Sequence, residues 1–297
     1  MKPRALQASD FALDKAAIRR AFDRAAPNYD EAAFLQREIC DRTLTHLDPI
    51  RIAPRRVLDL GSGTGYAVPH LRARFPEAEI VAVDFAPGMA FQGHALHQHD
   101  SPGALFVCAD ADQLPLPAAS VDLIFCNLML QWAPALERTL GECRRVLAEE
   151  GLLLLSTFGP DTLHELRRAF ADVDGAVHVH MFIDMHEVGD LLIATGFGSP
   201  VLEAETLTVE YESLDRLLRD LKTLGATNAA RGRPRSLGAR AQLQSLRGHY
   251  ERYRRANGKL PATHEVVYAH CWVPEPGSRP QDGSQVATFP LSALRRR

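Results

Sequence analysis

Residues 57–65 combine the side chains and the spacing that a nucleotide-like cofactor needs. An apolar run that contains Asp59 ends in glycines at positions 61, 63 and 65. This pattern predicts a buried strand that turns sharply over the cofactor, because glycine lets the backbone turn tightly and approach a ligand closely. A second apolar run ends at Asp84, about 20 residues further on, which is the spacing of a βαβ unit whose acid binds a ribose.

The position of Asp59 relative to the glycines indicates which cofactor is bound. A dinucleotide loop of the type G-x-G-x-x-G holds a pyrophosphate at a helix N-terminus, and an acid beside it would repel phosphate. The carboxylate of Asp59 suits instead a ligand with a cationic amino group. The order of acid, apolar residue and G-x-G-x-G resembles motif I of the class I S-adenosylmethionine (SAM) methyltransferases. Another Rossmann-like nucleotide binder is the alternative.

The same resemblance implies further contacts to the cofactor. A third apolar run ends at Asp110, where these methyltransferases place the carboxylate that accepts from the adenine amino group. Phe85 and Met89 are expected to offer apolar surface to the adenine ring, with ordinary core packing as the alternative for Met89. The predicted cofactor-binding residues are Asp59, Gly61, Ser62, Gly63, Gly65, Asp84, Phe85, Met89, Asp110, Ala111 and Asn127.

The elements that must position these residues alternate between strands and helices. This alternation predicts an α/β fold of the Rossmann-like class I methyltransferase type, with a seven-stranded, mostly parallel, doubly wound sheet. Residues 1–54 are predicted to form an N-terminal helical lid, residues 55–210 the SAM-binding core, and residues 211–273 a helical insertion and the final strand of the same domain. Residues 274–297 are rich in Pro, Gly, Ser and Gln, which predicts a disordered tail.

Composition excludes several classes of function. The net charge of −3 argues against a nucleic-acid partner. No apolar run reaches the length of about 18 residues that a membrane span needs, and no signal peptide is recognisable, so a cytoplasmic protein without a membrane partner is predicted. The five cysteines form no CxxC pair. His94, His97 and His99 lack acidic or Cys partners at ligand spacing, so no metal site is predicted.

Five segments outside motif I resemble a narrower family, the malonyl-acyl carrier protein O-methyltransferases of biotin synthesis. They are residues 22–30, 127–132, 182–190, 221–228 and 258–268. The resemblance covers nearly all of residues 15–273, with one departure at Ser62, where many members have Cys. It implies that SAM methylates the free carboxylate of malonyl on an acidic acyl carrier protein. Malonyl-CoA is a second candidate substrate.

The chemistry of such an acceptor needs no general base. A malonyl carboxylate has a pKa of about 4 and is already ionised at neutral pH. Catalysis then depends on aligning the carboxylate oxygen with the methyl group and on excluding water. Tyr29, Gln131 and Trp132 are the predicted positioning residues, although a packing role for Tyr29 against the first helix is equally compatible with the sequence. His178, His180 and His186 are further candidates, for which a structural role is the commoner explanation.

An acidic carrier protein requires a basic surface, and the sequence offers two. The first comprises Arg219, Lys222, Arg231, Arg233 and Arg235, and the second comprises Arg247, Arg252, Arg254 and Arg255. Either set would speed encounter by electrostatic steering. A solvated charged face is the alternative for each arginine.

Three other functions remain compatible with these patterns. The first is a related SAM-fold enzyme that hydroxylates arginine on a protein partner, because such assembly factors share the insertion pattern at residues 221–228. The second is a methyltransferase for another small carboxylic acid. The third is a non-catalytic SAM-binding protein, which the intact set of acids and glycines argues against.

Overall fold

The computed structural model describes residues 11–98, 103–174, 176–233 and 240–275. Its strands form one seven-stranded sheet in the order β3-β2-β1-β4-β5-β7-β6. The strands are β1 Arg56–Leu60, β2 Glu79–Asp84, β3 Leu105–Cys108, β4 Val121–Asn127, β5 Leu147–Phe158, β6 Gly198–Tyr211 and β7 Leu260–Trp272. Only β7 runs against the others, because it pairs antiparallel with both β5 and β6. The predicted mostly parallel sheet is confirmed.

Helices lie before the sheet, between its strands and in the insertion that precedes β7. In the described residues they are α1 Lys15–Ala25, α2 Tyr29–Ala32, α3 Phe34–Thr45, α4 Ala67–Arg74, α5 Pro87–His97, α6 Leu136–Val146, α7 His164–Ala171, α8 Met185–Ala194, α9 Leu214–Thr223 and α10 Arg240–Glu251. A 3-10 turn at Ala26–Asn28 joins α1 to α2, and another at Leu130–Trp132 follows β4. No helix in these residues is long and apolar enough to span a membrane.

Both faces of the central strands are buried, which explains their continuous apolar sequence. Successive side chains of a strand point to opposite faces, and β1 accordingly sends Leu58 into one hydrophobic cluster and Val57 into another. Ile124 and Leu123 of β4 divide between the same two clusters. The sheet is therefore covered on both sides, as parallel sheets are, and a ligand has access at the carboxyl ends of the strands.

The N-terminal helices and the insertion come together although they are far apart in sequence. The backbone N–H of Asp14 donates to Ala229 O at 2.9 Å, and that of Arg231 donates to Ala12 O at 2.8 Å. Leu13 and Ala230 form an antiparallel bridge between the same two segments. These contacts join α1 to the chain that follows α9. The predicted tail lies outside the described residues from position 276 onward.

Candidate active site

A cavity lies at the carboxyl ends of β1, β2 and β4 and is closed by the N-terminal helices and the insertion. The turn after β1 and the ends of β2 and β4 supply its floor, while α1 and α3 supply one wall. Leu224 and Ala226, which follow α9, complete the lining. Most of the predicted site residues meet here, and the cavity is the candidate active site.

The turn after β1 needs glycine at position 61 for two reasons. Gly61 has φ of +77°, and a Cβ atom there would lie only 2.4 Å from Met129 Cβ. Its N–H and that of Ser62 both donate to Val83 O, at 2.8 and 3.0 Å. The turn is thus fixed to β2 and holds the backbone of residues 61–64 against the cavity.

Gly63 and Gly65 serve different purposes in the same turn. Gly63 lines the cavity, and Tyr29 Cε1 would lie 3.8 Å from a Cβ atom placed on it. Gly65 does not line the cavity, in contrast to its predicted cofactor contact. A Cβ atom on Gly65 would approach His97 and Phe106 to 2.9 Å, so this glycine allows α5 and β3 to pack against the turn.

The carboxylate of Asp84 is held in one orientation at the end of β2. The Gly63 N–H donates to Asp84 Oδ2 at 3.0 Å, and the Ala86 N–H donates to Oδ1 at 2.8 Å. Burial raises the pKa of Asp84 to about 6, although these backbone donors act in the opposite direction. A fixed carboxylate that lines the cavity can accept from two neighbouring hydroxyl groups, as the ribose prediction requires.

Asp59 and Ser62 each have a buried polar atom that forms no hydrogen bond with the described residues. Asp59 is 2% exposed, and its Oδ2 atom is buried without a hydrogen bond, as is Ser62 Oγ. Burial, followed by the nearby charge of Asp84, raises the pKa of Asp59 to about 7. An unpaired buried acceptor costs free energy. A ligand that brings a cationic amino group to the cavity would satisfy Asp59, so these residues fit SAM.

Asp110 lines the cavity and has a partner, Lys15, that no local sequence pattern indicates. Lys15 Nζ of α1 donates to Asp110 Oδ1 at 2.6 Å and also pairs with Asp112. The Asp112 N–H donates to the same Oδ1 atom at 2.9 Å. Asp110 Oδ2 accepts no hydrogen bond from the described residues. The predicted adenine acceptor therefore shares its carboxylate with the N-terminal helix.

The remaining predicted cofactor residues also line the cavity, namely Phe85, Met89, Ala111 and Asn127. Phe85 and Met89 pack in one cluster with Phe22 of α1. The Asn127 side chain donates from Nδ2 to Gln36 O at 3.1 Å and accepts from Ser156 Oγ at 2.7 Å. Its amide thus ties β4 to α3 and β5.

The three predicted positioning residues, Tyr29, Gln131 and Trp132, all line the cavity. Gln131 donates to Leu128 O at 2.6 Å, which fixes its amide. The Trp132 ring lies edge-on to Phe22, with the ring centroids 5.2 Å apart. Burial raises the pKa of Tyr29 above its usual value, so its hydroxyl stays protonated and can donate. Tyr29, Gln131 and Trp132 thus add aromatic and amide groups to the cavity lining.

Two polar residues of α3 were not predicted, although the sequence carried a signal for them. Gln36 and Arg37 line the cavity with Ala33 and Cys40, and these four positions follow the i, i+3, i+4, i+7 spacing of one helical face. Gln36 Oε1 is buried without a partner. Arg37 donates to Asp30 O at 2.7 Å, which keeps its guanidinium at the cavity wall.

The histidines divide into one residue beside the site and several that are structural. His180 is buried against Trp132, with ring centroids 4.8 Å apart. Its pKa is lowered to about 4 by burial and by Arg167, so the imidazole is neutral. His178 stacks on Phe170 and contacts Asp174. Neither His178 nor His186 lines the cavity.

No group of potential metal ligands occurs in the part of the chain that the structure describes. His94 and His97 of α5 pack instead against the Phe106 ring. His99 lies outside the described residues.

Comparison with known proteins agrees with this geometry. Residues 58–155 match the family described as a methyltransferase domain. A putative methyltransferase from Bacillus halodurans superposes with a TM-score of 0.58 at 16% identity, covering 80% of this chain and 99% of that one. A phosphoethanolamine N-methyltransferase of Haemonchus contortus in complex with SAM gives a TM-score of 0.55 at 15% identity, covering 85% and 57% of the two chains. The fold is therefore that of the class I SAM-dependent methyltransferases.

Relatives with higher identity narrow this class. The malonyl-[acyl-carrier protein] O-methyltransferase of Laribacter hongkongensis is 48% identical, covering 94% of this chain and 97% of its own length. The protein of the same name from a Methylovorus species is 45% identical, covering 96% and 97%. The chain belongs to the malonyl-[acyl-carrier protein] O-methyltransferase family.

Proposed function

We propose that this chain transfers a methyl group from SAM to the free carboxylate of malonyl-acyl carrier protein and forms the methyl ester, an early step of biotin synthesis. The observation that carries the proposal is the extent of the family match, 94% of this chain and 97% of the Laribacter protein. Such a match includes α1 and the segment after α9, which lie outside the 58–155 methyltransferase domain and contribute Phe22 and Leu224 to the cavity lining.

The part of the cavity lined by Asp59, Asp84 and Asp110, called here the cofactor half, offers a different acid to each polar part of SAM. Asp59, whose buried Oδ2 atom has no partner in the described protein, would bind the amino group of the methionyl part. Asp84, already oriented by two backbone donors, would accept from both ribose hydroxyls. Asp110 would accept from the adenine amino group through Oδ2, because Oδ1 is occupied by Lys15.

The other predicted residues supply surface around these three acids. Gly61, Gly63 and the Ser62 hydroxyl would face the methionyl part, and Phe85 with Met89 would cover the adenine ring. Ala111 and Asn127 complete the rim. Gly65 acts through packing, since it does not line the cavity.

The protein's own contribution to catalysis is positioning and exclusion of water. When bound, SAM supplies an electrophilic methyl group on a sulfonium centre. The malonyl carboxylate is ionised at neutral pH, so no side chain has to remove a proton. The other part of the cavity, called here the acceptor half, has aromatic walls formed by Phe22, Trp132 and Phe158. These walls keep water from the carboxylate, and the Tyr29 hydroxyl and the Gln131 amide can orient it.

The proposed acceptor is carried by an acyl carrier protein, and the proposed location of the reaction is the cytoplasm. The names of the relatives specify an acyl-carrier protein, and malonyl-CoA presents the same malonyl thioester. No nucleic acid or membrane partner is proposed. We place the reaction in the cytoplasm, a reducing compartment, and the five cysteines are all free thiols.

The test is direct transfer of a labelled methyl group. The purified protein is incubated with methyl-labelled SAM and with malonyl-acyl carrier protein, malonyl-CoA or unacylated carrier, and the products are analysed by mass spectrometry. One added methyl on the malonyl species, removed by mild ester hydrolysis, is expected. The Asp84→Ala variant serves as the control that lacks the ribose acceptor. Unlabelled malonyl species in the presence of bound SAM would contradict the proposal.

A further inference from the structure

We propose that the acyl carrier protein docks on the outer face of α1 and on the adjoining end of the insertion. The partner follows from the proposed function, whereas the location follows from the distribution of charge. The surface, called here the α1 basic face, comprises Arg19, Arg20, Arg24, Arg219, Lys222 and Arg231. All six residues are exposed.

The helix α1 separates a cavity face from a solvent face. Lys15 and Phe22, seven positions apart, line the cavity. Ile18, Ala21 and Ala25 are buried. At 100° per residue, the exposed arginines at positions 19, 20 and 24 fall on the rest of the helical circumference. The same helix therefore lines the reaction cavity and presents cations to the solvent.

The cations of the insertion belong to the same surface because the insertion packs on α1. A Cβ atom on Gly225 would lie 3.0 Å from both Ala21 O and Ala25 Cβ, and the Arg231 N–H donates to Ala12 O. Arg219 and Lys222 lie in the last turns of α9, just before Leu224, which lines the cavity. The α1 basic face thus surrounds elements that close the active site.

These six cations form no ion pair within the described residues, which distinguishes them from the second basic set in the sequence. Arg247, Arg252, Arg254 and Arg255 lie 2.6–2.9 Å from carboxylate oxygens of Asp215, Asp172, Glu251 and Glu210. Arg233 pairs with Asp14 at 3.2 Å and so holds α1 to the insertion. A cation that is already paired attracts an incoming acidic protein less than an unpaired one.

Charge and distance together fit an acidic carrier protein. The whole chain has a net charge of −3, so a concentrated cationic surface gives a directional field that favours one docking orientation. Asp23 is an acidic residue next to Arg24 in α1. Its Oδ1 atom accepts a hydrogen bond from the Gly88 N–H at 2.7 Å and, among the described residues, does not pair with the arginines of the α1 basic face. A helix is about 10 Å across, so a pantetheine arm anchored on the outer face can pass around α1 into the cavity.

Two charge-reversal variants with matched design test the location. Arg20→Glu with Arg24→Glu changes two arginines of the α1 basic face. Arg51→Glu with Arg55→Glu changes two exposed arginines at the same spacing before β1, at the amino ends of the strands and away from the cavity. Initial rates are measured with malonyl-acyl carrier protein and with malonyl-pantetheine, which lacks the carrier, at low and at physiological salt.

The expected result is a change in the ratio of kcat/KM for the two substrates. At low salt the α1 variant should lower the ratio of carrier to pantetheine substrate about tenfold, and the loss should shrink as salt is added. The control variant should change the ratio by less than about twofold. The pair Arg20→Gln with Arg24→Gln should give an intermediate loss, which separates charge from helix disruption. An unchanged ratio in the α1 variant would overturn the docking site and leave the methyl transfer intact.

Failure of the proposed function has a separate signature. If the wild-type protein methylates neither malonyl substrate, binding of the acyl carrier protein is measured by calorimetry for both charge-reversal variants. Weaker binding by the α1 variant alone would still support the docking site. Equal affinities of the two variants would reject it.

Discussion

The two halves of the cavity are assembled in different ways. The cofactor half uses Asp59, Gly61 and Asp84, which lie at or just after the ends of the adjacent strands β1 and β2, and the turn after β1 hydrogen bonds to the end of β2. The acceptor half takes Phe22 from α1, Trp132 from the turn after β4, Phe158 from β5 and Leu224 from the insertion. One half is therefore a local motif, and the other exists only when distant segments pack together.

The two halves also differ in chemistry: the cofactor half presents fixed carboxylates, and the acceptor half presents a packed, mostly apolar wall. In the cofactor half, buried carboxylates raise the free energy of the ligand-free protein, because charge is held away from water. In the acceptor half, aromatic rings contact one another and the polar amide of Gln131 is hydrogen bonded. Substitutions in the first half should change SAM affinity, and those in the second should change the use of the acceptor.

The largest expected effect is that of Asp84→Ala on SAM binding. The substitution removes the carboxylate that accepts from the Gly63 and Ala86 N–H groups and leaves the ribose hydroxyls unpaired. The binding free energy should weaken by about 1–3 kcal/mol, as measured by calorimetry. The matched change in the acceptor half, Gln131→Ala, should raise KM for malonyl-acyl carrier protein and leave SAM affinity within about twofold. Equal losses of SAM affinity in the two variants would show that the two halves do not bind cofactor and acceptor separately.

The cofactor half was predictable because its signals are local. The apolar runs, the glycines and the acids at the strand ends lie in order along residues 57–110, and the strands that they predicted are confirmed. Gly65 shows the limit of such local patterns. It belongs to the motif, but the position that its side chain would occupy lies against His97 and Phe106 and not in the cavity. A repeated pattern identifies a turn more reliably than it assigns each position within that turn.

The contacts of the acceptor half and of the surface depend on tertiary packing. Lys15 and Asp110 are 95 residues apart, and no local pattern relates them. The sequence likewise offered two basic sets without showing which was paired. Only the fold brings Asp172 to Arg252 and Asp14 to Arg233. By contrast, the helical spacing of Ala33, Gln36, Arg37 and Cys40 was visible in the sequence and would have extended the predicted site to α3.

A smaller effect is expected on the thermal stability of the ligand-free protein, which the buried charge of Asp59 lowers. Burial raises the pKa of Asp59 from 3.8 to about 7, so the fold favours the protonated acid. The resulting stability is complete below pH 3.8 and is lost as the pH rises through about 7. Without SAM, Asp59→Asn should therefore raise Tm by roughly 3–5 °C at pH 8 and by less at pH 5. With SAM the order should reverse, because the neutral amide of Asn cannot form an ion pair with the cationic amino group of SAM.

The matched control for that measurement is Asp190→Asn. Asp190 is an exposed residue of α8, and its replacement should shift Tm by less than about 1 °C at either pH. An Asp59→Asn shift of the same size at pH 5 and pH 8 would show that the buried charge is not its cause.

The smallest expected effect concerns Lys15, which joins the two halves by bridging α1 to Asp110 and Asp112. Because the Lys15 and Asp110 side chains are 34% and 45% exposed, solvent screens this pair. Lys15→Met should therefore weaken SAM binding only about threefold at low salt, chiefly through faster dissociation measured by stopped flow, as α1 loses a contact over the cofactor. Lys222→Met, which removes an exposed lysine away from the cavity lining, is the control. Tighter SAM binding by Lys15→Met would instead show that Lys15 competes with the adenine amino group for Asp110, and α1 would then oppose cofactor entry rather than retain the bound cofactor.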